Sequence, residues 1–312
     1  MTKNSRLIVQ AAEDLGLTVE IISEKDHLFI IHNQDTSMLL CELFSMTLDP
    51  NSETYRLSKN KDLTYALWER AGIPFPKYYH FKNLADFQEK ISHVKLIFPL
   101  ITKEGGGSKS INVHMDIRSK EQLNQAAQSY KEKFIVQKMV TGKEYRLLIY
   151  KGRLLGALQM IPPQIKGDGA RSIQALISEI NLTKEKKIKL NTSVLATIKK
   201  SGYTEDSVPQ HNEIVMLQKN SCLAEGGESL DCTELVHPEI ITLAWKAVQA
   251  TNLRLGGVDL ICDDITIPIK DQALTFLEVN TYPDLKIHYS PTKGKSRPVA
   301  KMILEDIFKR VH

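Results

Sequence analysis

Two apolar runs near the C-terminus, GGVDLIC (residues 256–262) and LTFLEVN (274–280), read as strands, and each contains a carboxylate. Asp259 and Glu278 therefore occupy positions where an ionised side chain is costly to bury without a partner. Asn280 follows Glu278 by two residues, so on an extended chain both point to one face, just before a turn marked by Pro283. A carboxylate and an amide oxygen on one rigid strand suit Mg²⁺, a hard ion that prefers oxygen ligands and keeps water and phosphate oxygens in its shell. If the two strands are neighbours, Asp259 adds a third oxygen. A solvated strand face explains the same residues equally well, since polar side chains alternate along many half-exposed strands.

The chain around these strands is that of a soluble globular protein. Its 312 residues allow two or three packed layers, with 42% hydrophobic and 25% charged residues. The 41 basic and 37 acidic residues leave +4, too little to argue for nucleic-acid or membrane partners. No run approaches ~18 apolar residues, and MTKNSRLIVQ lacks an export pattern. Cys41, Cys222, Cys232 and Cys262 show no CxxC spacing, which suits reduced thiols. A cytoplasmic protein is expected.

Alternating helices and strands predict an α/β or α+β architecture of several lobes. A small N-terminal α/β subdomain is expected over residues 1–58, with a helix in SRLIVQAAEDLGL and strands in TVEIIS and LFIIH. A lobe over 59–135 follows, and a C-terminal lobe over 136–312. In the latter, YRLLIYKGRLLGALQMI reads as a hairpin turning at Lys151 and Gly152. Residues 164–215 form a polar, helix-rich excursion.

Two further segments suit a nucleotide. In ITKEGGGSKSINV, the N–H groups of Gly105, Gly106 and Gly107 and the Ser108 hydroxyl can cradle phosphate oxygens, with Lys103 reaching the same group as a point charge. The spacing is not that of a P-loop, and a flexible surface turn accounts for three glycines as well. In FIVQKMVTGKEYR, the strand runs through Gln137 and Lys138 to a turn at Gly142. Backbone groups from Lys138 through Met139 to Val140 can pair with a purine edge, and Glu144 can accept from ribose hydroxyls. The alternative is a sheet-edge hairpin with ordinary surface charges.

Taken in order, these segments resemble the ATP-grasp superfamily over roughly 250 residues from about Lys59 to the end. The similarity is carried by AGIPFP, FPLITKEGGG, VTGKEYRLLIYKGRLLGAL, PPQIKGDGARSIQALI, EGGESLDCTELVHPE, GGVDLI, LEVNTYPDLKIHYSP and GKSRPVAKMILEDIF. It is greatest to the ATP-grasp modules of cyanophycin synthetases and bifunctional glutathione synthetases. The resemblance implies an ATP-grasp fold, in which two α+β lobes clasp ATP, and an ADP-forming carboxylate–amine ligase acting through an acyl phosphate. It implies that Lys103 and Lys138 contact the phosphates and that residues 105–108 form the flap. Gln137, Lys138, Met139 and Val140 would be the adenine hinge, and Glu144 the ribose ligand. Asp259, Glu278 and Asn280 would hold Mg²⁺, with Mn²⁺ an alternative. Arg146 joins the two lysines in the catalytic set, and His288 and Lys219 face the substrate, an amino acid or short peptide. Dimers and tetramers are both compatible with it.

The sequence departs from the pattern in places. Met160 and Gln218 stand where arginines are usual, Cys222 replaces an asparagine, Ala224 a serine, and Gln137 a glutamate. An arginine that binds an anion with two parallel bonds has no equivalent in Met or Gln. Lys219 and Arg254 are candidates to compensate. Either the acceptor differs from that of the relatives, or the protein binds nucleotide with little or no turnover. His288 reads equally well as a loop histidine packed against its turn.

Overall fold

A computed structural model of the chain describes residues 1–42, 60–104 and 113–309. Gly105, Gly106, Gly107 and Ser108 lie outside the described residues. The chain forms two compact units. The first comprises Met1–Ala157, Thr233–Tyr289 and Arg297–His312, so the boundary expected at 135/136 falls inside it.

This unit opens with α1 (Lys3–Asp14), whose first turn is capped by the Thr2 hydroxyl. An antiparallel sheet of β1 (Thr18–Ser23), β2 (Leu28–His32) and β3 (Ser37–Cys41) follows. The first two are the strands expected. β3 is short and mostly exposed, so its sequence, SMLLC, carries little periodic signal.

Next comes α2 (Lys61–Arg70), started by Asn60, whose side-chain oxygen accepts from the N–H groups of Asp62 and Leu63. A four-stranded antiparallel sheet, ordered β4-β7-β5-β6, is built from β4 (Tyr78–Phe81), β5 (Leu100–Glu104), β6 (His114–Ile117) and β7 (Phe134–Lys138). Between them run α3 (Leu84–Lys90) and α4 (Lys120–Ala127). Phe81, Leu100, Phe134 and Val136 pack one sheet face against Phe87, Leu123 and Ala126 of these helices. By the two-residue alternation of strands, Ile101, Lys103, Ile135 and Gln137 share the other face. The hairpin β8 (Lys143–Tyr150) and β9 (Arg153–Ile161) turns at Lys151 and Gly152, both left-handed, where the sequence places it.

The second unit comprises Leu158–Cys232 and Ser290–Ser296. It contains the antiparallel pair β10 (Gln164–Lys166) and β11 (Ile214–Met216), with α5 (Ile173–Thr183) and α6 (Thr192–Lys200) between them in sequence. Ile165, Ile173, Leu176, Ile177, Val194, Ile198 and Val215 bury themselves in a small core. The helical excursion is thus observed, and the paired strands that close it are additional. The end of β9 pairs with β12 (Glu228–Asp231).

The first unit resumes with α7 (Pro238–Gln249), then β13 (Leu255–Cys262) and β14 (Leu274–Asn280). The chain continues through α8 (Lys286–Tyr289) and α9 (Val299–Ile307). β13 is buried along nearly its whole length because β8 and β14 flank it on both sides, which explains its unbroken apolar sequence. Val299, Ile303 and Leu304 of α9 share one core with Ile8, Phe29 and Ile31, so the two ends of the chain are packed together.

α2 is fastened to the β14 edge by two aromatic side chains. The Tyr65 hydroxyl donates to the Leu277 carbonyl at 2.8 Å, and the Trp68 indole donates to the Ala247 carbonyl at 2.9 Å. Trp68 is fully buried and meets Phe276 edge-on. Trp68→Ala removes this anchor and leaves a cavity, with an expected loss of about 3–5 kcal/mol in urea unfolding.

Candidate active site

The site is built on one register. Asp259 at the middle of β13 lies directly across from Arg146 of β8 on one side and Glu278 of β14 on the other. Gly257, two residues away on the same face, lies across from Asn280. The three residues expected to hold a cation are therefore brought onto one sheet face, together with Arg146 and Glu144.

That face also depends on a slip in the pairing. Asp259 opposes Glu278, yet Leu260 opposes Phe276, so Leu277 is an extra residue on β14. Two residues apart, Phe276 and Glu278 would share a face on a regular strand; the extra residue turns them to opposite faces. Phe276 enters the core beneath Trp68, while Glu278 joins Asp259. The carbonyl of Leu277 is the one bonded by Tyr65.

Asp259 is buried and is held by two parallel bonds from Arg146, Nε to Oδ1 and Nη2 to Oδ2, each 2.7 Å. Burial pushes its carboxyl upward and Glu278 pushes the same way, while Arg146 opposes both. The carboxylate in turn raises the guanidinium, which stays charged. Glu278 Oε2 accepts from Lys61 Nζ at 2.7 Å, and Oε1 accepts from Asn280 Nδ2 at 3.2 Å. Lys61 is the main reason that Glu278 lies well below the usual carboxylate range, against the cost of burial. Burial works against the Lys61 charge, but Glu278 outweighs it and holds the ammonium above its ordinary value.

Lys103 completes the cluster. Burial, then repulsion from Lys61, draws it down to about 7, with Glu278 opposing. Lys138 does not join. It ends β7 opposite Leu100, on the face away from Lys103 and exposed, so the second ammonium beside Lys103 belongs to Lys61. The sequence reading missed Lys61. Its signal was the asparagine before it: an Asn cap fixes the first residue of a helix, and α2 is aimed at β14.

Gln137 is buried on the Lys103 face, and among the described residues no hydrogen bond reaches its side-chain oxygen. Lys138 N–H bonds Lys77 O, and Met139 N–H bonds Pro99 O, which fixes the backbone leading to half-buried Val140. The turn after it needs Gly142, where a Cβ would come within 2.9 Å of the Cys262 carbonyl. Glu144 follows on β8, half-buried.

His288 is buried so closely against β9 that a Cβ on Gly156 would lie 2.6 Å from its Nδ1, which favours the packed-histidine alternative. Met160, Gln218 and Lys219 all belong to the second unit; Met160 and Gln218 are buried there, and Lys219 is exposed. Arg254 is exposed. No described helix is long and apolar enough to cross a membrane.

Two lobed sheets with convergent lysines and carboxylates define an ATP-grasp fold, and a bifunctional glutathione synthetase from Pasteurella multocida shares it. That structure aligns with a TM-score of 0.72 at 22% identity, covering 99% of this chain and 44% of that one. The model of the RimK-like ATP-grasp domain matches residues 58–226, more than half of the sequence, and the chain belongs to that family. Its curated relatives include a cyanophycin synthetase from Trichormus variabilis, 29% identical over 81% of this chain and 29% of that protein. Another is the glutathione biosynthesis bifunctional protein GshAB of Desulfotalea psychrophila, 26% identical over 98% of this chain and 41% of that protein. The chain thus spans well under half the length of these relatives.

The depressed Lys103 has a consequence for stability. Between about 7 and its ordinary value of 10.5, the unfolded chain holds a proton that the folded one does not, so stability rises with pH across this window. Below it, the half-buried ammonium carries its desolvation penalty. Lys103→Met is expected to be more stable than the parent by on the order of 2–4 kcal/mol near pH 6, the gap closing toward pH 10, in urea unfolding across that range.

Proposed function

We propose that this chain is an ATP- and divalent-cation-dependent ligase that joins a carboxylate to an amine on amino acids or short peptides. The observation that carries the reading is the single-face cluster of Arg146, Asp259, Glu278 and Asn280 opposed by the ammonium groups of Lys61 and Lys103. Transfer of a phosphoryl group needs little covalent help from protein; it needs charge neutralised and reactants held in line. Lys61 and Lys103 supply positive charge for phosphate oxygens. Asp259, Glu278 and Asn280 offer the oxygen donors that a Mg²⁺ or Mn²⁺ ion takes, and such an ion would neutralise the transferring phosphoryl. Arg146 holds Asp259 in place and stays charged.

In this reaction a substrate carboxylate oxygen attacks the γ-phosphorus of ATP and releases ADP. The amine nitrogen then attacks the acyl carbon, the bond to phosphate breaks, and phosphate and a proton leave. Val140 and its neighbouring backbone would bind adenine, and Glu144 the ribose. Residues 105–108 are candidates to close over the phosphates. The named activities of the relatives, cyanophycin and glutathione synthesis, support condensation of amino-acid-like substrates.

A second reading rests on the buried Met160 and Gln218 in place of arginines: nucleotide binding with little turnover. One assay separates the two. With ATP, Mg²⁺ and pooled amino acids and dipeptides, ligase activity gives ADP release that requires both a carboxylate and an amine, plus a new condensed mass. Tight ATP binding without product favours the second reading. Glu278→Ala is expected to lower ADP release by at least about 100-fold; full turnover by that variant would remove Glu278 from the site.

A further inference from the structure

The carboxylates proposed to hold a cation already have partners. Both oxygens of Asp259 accept from Arg146, Glu278 Oε2 accepts from Lys61, and Glu278 Oε1 accepts from Asn280. The amide nitrogen of Asn280 is turned toward Glu278. Each of these carboxylate oxygens already accepts a hydrogen bond, and a divalent cation approaching Glu278 meets the Lys61 ammonium at 2.7 Å from Oε2. Two positive charges at contact repel, and the Lys61 side chain is only 19% exposed, so water screens the repulsion in part.

We infer that Lys61 is a placeholder cation, which makes binding of the divalent ion conditional on prior or simultaneous binding of the nucleotide. This rests on the nucleotide and metal reading above. Triphosphate oxygens offer the ammonium a better-charged partner than one carboxylate. Their arrival draws Lys61 off Glu278, and the freed oxygen and the phosphates together receive the ion. Arg146 is not the device. Its two bonds to a buried carboxylate are held by geometry on the neighbouring strand, whereas Lys61 reaches Glu278 from a helix terminus on a flexible four-carbon stem.

The test is Mn²⁺ binding, read as free Mn²⁺ by electron paramagnetic resonance, on the full chain with and without a non-hydrolysable ATP analogue. The parent without nucleotide is expected to bind Mn²⁺ at this site at least about tenfold more weakly than with it. Lys61→Met is expected to tighten nucleotide-free Mn²⁺ binding by about tenfold or more, while Lys61→Arg, which keeps the charge, stays near the parent. Equal Mn²⁺ affinity of the parent with and without nucleotide overturns the inference, and this comparison needs no variant to fold. An unchanged nucleotide-free affinity in Lys61→Met overturns it as well. Analogue binding with no Mn²⁺ bound in either state removes the metal site and this inference with it, while leaving the nucleotide site standing. Binding of neither removes the proposed function itself.

Discussion

A buried carboxylate on an interior strand governs the first unit. Asp259 sits between β8 and β14 on a strand that is otherwise apolar, and an ionised group there is tolerable only because Arg146 grips both its oxygens. That pairing fixes which residues can lie alongside. Arg146 must be on β8 at the register opposite Asp259, and Glu278 must face the same side on β14, where its own charge requires another cation. Lys61 meets that demand, and it does so from α2, whose position is set by Tyr65 and Trp68 against the edge of the sheet and by the Asn60 cap. Electrostatic necessity on one strand thus propagates to the placement of a helix far away in sequence.

Much of this was legible in the residues. Glu278 and Asn280 had to share a face on any strand, and the apolar runs around Asp259 and Glu278 pointed to two strands, whose adjacency the sequence left open. The hairpin at Lys151 and Gly152 was marked by its turn chemistry. What escaped the sequence was set by tertiary contact. Lys61 is marked in SKNKD only by the capping asparagine before it, and the docking of α2 reveals its partner. The resemblance paired Lys138 with Lys103, but strand alternation puts it on the other face. His288 is a comparable case, since a glycine on a distant strand, Gly156, is what makes room for it in the interior.

The clustered charges of Lys61, Lys103, Arg146, Asp259 and Glu278 lie in the first unit, while Met160 and Gln218, where the resemblance leads one to expect arginines, lie in the second and are buried. An apolar thioether and a neutral amide in those places cannot grip an anion bidentately.

The extra residue at Leu277 makes the sidedness of β14 a matter of parity. Every side chain beyond it, Glu278 and Asn280 included, owes its direction to an odd count rather than to its own chemistry. Point substitutions leave that count intact, so the strand can drift widely in composition without losing its orientation. Loss of one codon there would retain the carboxylate and the amide in the sequence while sending both to the wrong side of the sheet. Length, at this single place, is more tightly constrained than identity.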